Sequence, residues 1–200
     1  MNEAISQFNE KHCSALTAGV DEVGRGALAG DVFAAAVILD KEKSIDGLKD
    51  SKQLSEKQRL NLYYEIKEEA LCFSVGRASV LEIDSLNILQ ASLLAMSRAA
   101  KALSVQPKFV LVDGLHVPEW NYSAKAIVRG DSKVMAIAAA SIVAKVTRDK
   151  EMAMMGELYP GYDFAKNKGY PTQAHLKGLK KIGPCMVHRR SFAPVSKLLE

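Results

Sequence analysis

Two adjacent acids, Asp21 and Glu22, close the apolar run at residues 18–20 and lead into a glycine turn, Gly24-Arg25-Gly26. A second apolar run, FVLV, ends at Asp113-Gly114, and Asp131 stands just past a third, AKAIV. Carboxylates at the ends of strands can converge on one edge of a sheet, where open sheets place their sites. Four of them together would repel strongly, and an ionised carboxylate taken out of water is costly unless paired. Divalent cations remove that cost, and Mg2+ or Mn2+ suits an all-oxygen ligand set. Two such ions about 4 Å apart can activate a water and stabilise a leaving oxygen in phosphodiester hydrolysis. Asp21, Glu22, Asp113 and Asp131 are therefore the candidate catalytic and metal-binding residues.

Each acid alone has an ordinary explanation. Asp131 can cap a helix, Asp21 can pair with Arg25, and Asp113 can form a turn before Gly114. Three apolar strands that all end in acids favour the metal reading. It carries one condition: neighbours on a strand point to opposite faces, so Asp21 and Glu22 share a site only where the strand twists, bulges or ends. The glycines at 24, 26 and 30 resemble a dinucleotide loop, but that loop needs a following helix, and DVFAAAVIL reads as a strand. Gly-Arg-Gly better suits close approach of backbone to a ligand, with Arg25 near a phosphate. Lys52 can hold a phosphate or simply be solvated. His12, His116, His175 and His188 show no metal-ligand spacing.

The elements that must position these residues follow from patterning. Residues 18–23 and 32–39 are short, apolar and β-branched, and read as a hairpin across the glycine turn. Residues 55–71 read as a helix opened by Ser55, and 72–80 as a third strand. A helix is expected over 85–103, strands over 109–112 and 122–128, and a long helix over 132–159 stopped by Pro160-Gly161. Thr172 is the expected N-cap of one more short basic helix. An antiparallel start feeding β-α-β units predicts an α/β protein, a mixed sheet with helices on its faces.

The chain has 200 residues and a net charge of +4, enough for one core with a small appendage. Residues 164–200 carry eight Lys and Arg against the single acid Glu200, on a body that is slightly acidic. A basic tail on such a body points to a polyanionic partner, or else to a solvated basic helix. No apolar run is long enough to span a bilayer, and the first fifteen residues lack the apolar segment of a signal peptide. Cys13, Cys72 and Cys185 form no C-x-x-C pair and are expected as free thiols in a reducing cytoplasm.

The segments DEVGRG (21–26), DSKQL (50–54), LVDG (111–114), GDSKVMAIAAASIVAKVTRD (130–149) and KGYPT (168–172) resemble, in order and spacing, those of ribonuclease HII. Asn167 stands where a small residue is expected. The resemblance implies a ribonuclease-H-like fold: a five-stranded mixed sheet flanked by helices, forming a catalytic domain over 1–160, with a basic helical extension over 161–200 packed on it. It implies endonucleolytic cleavage of RNA in RNA–DNA hybrids and at ribonucleotides embedded in duplex DNA. Cleavage would fall 5′ of the ribonucleotide, with two Mn2+ or Mg2+ ions. It assigns the acids to Asp21, Glu22, Asp113 and Asp131. Sensing of the 2′-hydroxyl falls to Gly24, Arg25 and Gly26, and packing on the adjacent deoxyribose to Tyr170. The 2′-hydroxyl is the group that separates RNA from DNA, and backbone amides and carbonyls read it well. Tyr170 precedes Pro171, which biases its backbone to extended conformations; a core tyrosine is the alternative. A monomer acting away from membranes is expected.

Overall fold

The computed structural model describes residues 16–48, 51 and 54–200. Lys52 lies outside the described residues, as do His12 and Cys13. Five strands form one sheet in the order β3-β2-β1-β4-β5. They are β1 (Thr17–Val23), β2 (Val32–Leu39), β3 (Ala70–Ala78), β4 (Phe109–Asp113) and β5 (Ala124–Ile127). β1 pairs antiparallel with β2, and β2 with β3, whereas β4 lies parallel to β1 and β5 parallel to β4. The expected hairpin pairing holds. Its connection is an eight-residue loop over 24–31 rather than a tight turn, since the strand register closes at Val23 opposite Phe33.

Both faces of the sheet are covered, so β2 is apolar throughout and the middles of β1 and β4 are apolar on both faces. Helices α1 (Glu56–Glu69), α2 (Val80–Leu86), α3 (Ile88–Lys101) and α4 (Met135–Leu158) supply the cover. One face gathers Ala18, Val20, Ala34, Ala36, Val110 and Val112 against Ala91, Ala95 and Ala99 of α3. The other packs Ala35 and Val37 against Leu62 and Ile66 of α1 and Ala139, Ile142 and Val143 of α4. The alanines of α4 and Gly19 of β1 serve one purpose. A Cβ on Gly19 would lie 2.1 Å from the Ala136 carbonyl carbon, so helix backbone and strand backbone touch without an intervening side chain.

Several boundaries differ from the sequence reading, three of them with a clear cause. The helix expected over 85–103 is two helices, because Asn87 takes φ 74° and both ends α2 and caps α3, its side chain accepting from the amides of Leu89 and Gln90. β3 stops at Ala78 because Ser79 and Glu82 form a reciprocal capping box that opens α2. The long helix begins at Met135, preceded by a single 3₁₀ turn over Gly130–Ser132. The remaining helices among the described residues are α5 (Phe164–Asn167), α6 (Gln173–Ile182), capped by Thr172 as expected, and α7 (Ala193–Ser196). Phe164, Leu179 and Val195 of these join Leu28, Ala29 and Met152 in one apolar cluster. No helix among the described residues is long and apolar enough to cross a membrane.

Candidate active site

Val20 pairs with Val112 across the parallel β1–β4 ladder, so the next residue on each strand is an acid, Asp21 and Asp113. Both stand at the carboxyl ends of their strands. Glu22 belongs to the opposite face by alternation, yet β1 ends one residue later and the longer side chain reaches the same place. Carboxylate oxygens of Asp21, Glu22 and Asp113 lie within 4.8 Å of one another. The condition set by strand alternation is thus met at a strand end.

The electrostatics of this trio are strained in a specific sense. Asp21 is buried, and its pKa is raised well above the ordinary carboxylate value, first by burial and then by the charges of Glu22 and Asp113. Two donors offset this only in part: the Ser141 hydroxyl of α4 and the Glu22 amide, 2.7 Å from Asp21 Oδ1. Ser141 is 2.8 Å from the hydroxyl of Ser51. Arg59 of α1 donates to the carbonyls of Ser51 at 3.0 Å and Leu54 at 2.9 Å. Glu22 Oε1 accepts from Arg25 at 3.0 Å, whereas its Oε2 is buried without a hydrogen-bond partner among the described residues. Three clustered carboxylates, one with an orphaned buried oxygen, are a donor set that fits hard divalent cations. Arg25 pairs with Glu22 and not with Asp21.

Asp131 is buried in the 3₁₀ turn and does not belong to the trio. It neighbours the trio through the backbone, since the Gly130 amide donates to Asp113 Oδ1 at 2.6 Å. The N-cap of α4 is Val134, so Asp131 does not cap that helix.

The glycine turn lies beside these acids. Gly24 takes φ 94°, and a Cβ there would sit 2.2 Å from Arg148 Nε. Gly26 is exposed, and a Cβ on it would touch the Tyr170 ring at 3.8 Å. Tyr170 is half-buried, with the Arg148 guanidinium 5.6 Å from its ring centre. Asn167 fills a structural role: it donates to the Tyr162 carbonyl at 2.7 Å and accepts from the Gly169 amide at 2.8 Å, fixing the bend before Tyr170. Sequence reasoning missed Ser141, Arg148, Arg189 and Arg59. The first two lie inside the long block 130–149, and the signal available was a polar residue on an otherwise apolar helix face.

The ribonuclease HII family profile matches residues 18–195. The chain belongs to the ribonuclease HII family. A ribonuclease HII from Nitrosococcus oceani is 60% identical over 183 residues, covering 92% of this chain and 91% of that protein. The crystal structure of ribonuclease H2 from Pyrococcus horikoshii OT3 superposes with a TM-score of 0.74 at 27% identity, over 91% of this chain and 96% of the other. A Bst ribonuclease HIII crystallised with Mn2+ shares the fold with a TM-score of 0.71 at 19% identity, over 98% of this chain and 72% of the other. The ribonuclease HII chain described here is accordingly a nuclease, a ribonuclease H, with the ribonuclease-H-like mixed sheet.

Proposed function

We propose that this ribonuclease HII cuts RNA in RNA–DNA hybrids and at single ribonucleotides embedded in duplex DNA. Cleavage falls on the 5′ side of the ribonucleotide and leaves 3′-hydroxyl and 5′-phosphate ends. The observation that carries the reading is the meeting of Asp21, Glu22 and Asp113 within 4.8 Å beside the glycine turn and Tyr170. Asp21, Glu22 and Asp113, with Asp131 joining through the Asp113–Gly130 contact, would hold Mn2+ or Mg2+. When bound, two such ions supply activation of water and stabilisation of the departing 3′-oxygen. The chain's own contribution is orientation. Ser141 and the Glu22 amide fix the Asp21 carboxylate, and the Gly130 amide fixes Asp113.

In this reading the backbone of Gly24, Arg25 and Gly26 reads the ribose 2′-hydroxyl, and Tyr170 packs on the following deoxyribose, where a missing hydroxyl lets the ring approach. Lys52 contacts a phosphate. Residues 161–200 form the basic extension of a catalytic domain over 1–160, and Lys177, Lys180 and Lys181 of α6, all exposed, grip the duplex. Binding then weakens as salt rises. The protein works as a cytoplasmic monomer. The test is incubation with a duplex bearing one ribonucleotide. A single nick with 3′-hydroxyl and 5′-phosphate ends, abolished by EDTA and restored by Mn2+ or Mg2+, is expected. Cleavage that persists in EDTA refutes it.

A further inference from the structure

Two arginines are fully buried, Arg148 on α4 and Arg189 in the segment after α6, both at 0% exposure. Arg148 has no carboxylate among its hydrogen-bond partners: its Nε donates to the Asp31 carbonyl at 3.1 Å, Nη1 to the Lys168 carbonyl at 2.9 Å and Nη2 to the Ala29 carbonyl at 3.1 Å. Arg189 behaves the same way. Its Nε and Nη2 both donate to the Gly30 carbonyl, at 2.9 and 2.8 Å, and Nη1 donates to the Arg25 carbonyl at 2.9 Å. Burying a guanidinium is expensive, and it is tolerated where its nitrogens find hydrogen-bond partners. Here the partners are one loop, 24–31, and one bend, 168–170.

The geometry gives this arrangement a consequence for recognition. A trans peptide points its carbonyl and its N–H in opposite directions. With the Arg25 carbonyl turned inward to Arg189, the N–H of Gly26 is turned away from that arginine. Arg148 spans the two recognition segments directly. It bonds Ala29 and Asp31 on one side and Lys168 on the other, packs under Gly24, and lies against the Tyr170 ring. The loop and the bend also meet through the Leu28 amide, which donates to the Gly169 carbonyl at 2.7 Å.

We propose that Arg148, with Arg189 as its second clamp, is a positioning residue that holds the turn at 24–26 and the Tyr170 ring at one fixed separation. The backbone that meets the ribose hydroxyl and the ring that meets the next sugar then act on the same nucleotide step. The proposal rests on the functional reading above and adds to it the source of junction selectivity. A lysine keeps the charge and loses the planar fork, so at position 148 it cannot bridge the loop and the bend, and at position 189 it cannot hold the Arg25 and Gly30 carbonyls of the loop together.

The experiment compares kcat/KM for a duplex with one embedded ribonucleotide and for a continuous RNA–DNA hybrid, in Arg148→Lys, Arg189→Lys and wild type, with thermal melting as the check of fold. The single-ribonucleotide substrate requires both contacts at one step, whereas interior sites of a continuous hybrid offer no deoxyribose to the ring. Arg148→Lys is expected to lower the ratio of the two kcat/KM values by about tenfold, since a displacement near 1 Å at a recognition group has effects of that order or larger. In a Tyr170→Ala background the same substitution leaves the ratio unchanged. A purely structural role lowers both substrates in parallel and leaves the ratio within about twofold of wild type, which overturns the proposal. Arg189→Lys gives the same reading if Arg148→Lys does not fold, and failure of both to fold assigns the arginines to stability alone and overturns it too. If the wild type does not nick the single-ribonucleotide duplex, the functional reading itself fails. If it does and the ratios hold, only the positioning role fails.

Discussion

Gly24→Ala tests whether the recognition turn and the buried arginine form one rigid unit. Gly24 adopts φ 94°, where an alanine costs about 1–3 kcal/mol. The added Cβ would also lie 2.2 Å from Arg148 Nε and 2.8 Å from its Cδ, so the arginine must move. Arg148 is fully buried and makes three bonds to carbonyls. Surrendering even one charged, buried donor costs a further ~1.5–3 kcal/mol. The sum is about 2.5–6 kcal/mol, and for a chain of this size each kcal/mol lowers Tm by roughly 2–4 °C. A fall on the order of 10 °C is expected. Gly26→Ala is the control. Gly26 has no positive φ, and its nearest foreign atom would be Tyr170 Cε1 at an ordinary 3.8 Å, so its Tm should stay within about 2 °C while turnover on the single-ribonucleotide duplex falls. Melting curves and initial rates on both variants decide the matter. A Gly24→Ala loss under about 3 °C, or a Gly26→Ala loss as large, refutes the reasoning.

Asp113→Asn keeps the Oδ1 acceptor for the Gly130 amide and removes a charge from the trio. Cleavage should fall by roughly a thousandfold or more, corresponding to several kcal/mol of lost transition-state stabilisation, while hybrid binding in a gel-shift assay persists. Asp21→Asn should raise stability in EDTA at neutral pH. The folded state raises the Asp21 pKa, so its stabilising share is present below the ordinary carboxylate pKa and lost as pH rises through the folded value. Urea unfolding in EDTA reads this, and a variant less stable than wild type contradicts it. Acid sensitivity should set in early, through the buried pair His175 and His188, whose Nε2 atoms are 3.0 Å apart. Burial, then the neighbouring His175, pushes His188 down to about 4. The unfolded chain takes that proton near pH 6.5 and the folded chain refuses it, so stability falls as pH drops from 6.5 towards 4, by up to about 3 kcal/mol. In His188→Gln the slope between pH 6.5 and 5 should flatten, as urea unfolding at stepped pH would record.

Local physics made much of this protein readable from its residues. Apolar runs closed by acids gave the strand ends at Asp21 and Asp113, and Thr172 gave the cap of α6. A strand end is where a buried backbone meets an exposed edge, and an unpaired carboxylate in an apolar segment is costly enough to stand out. Other features depended on which distant groups come together. Asn87 breaks a helix that composition would have continued, because its capping bonds outweigh the local propensity. Glu22 reaches across the strand alternation because β1 stops one residue later. Asp131 sits in a 3₁₀ turn just before the helix, beside the close trio rather than in it. Arg148 and Arg189 were unreadable as buried groups, since a guanidinium in sequence looks solvated. What permits their burial is a set of carbonyls contributed by residues 25 to 168, and only folding brings those carbonyls to one place.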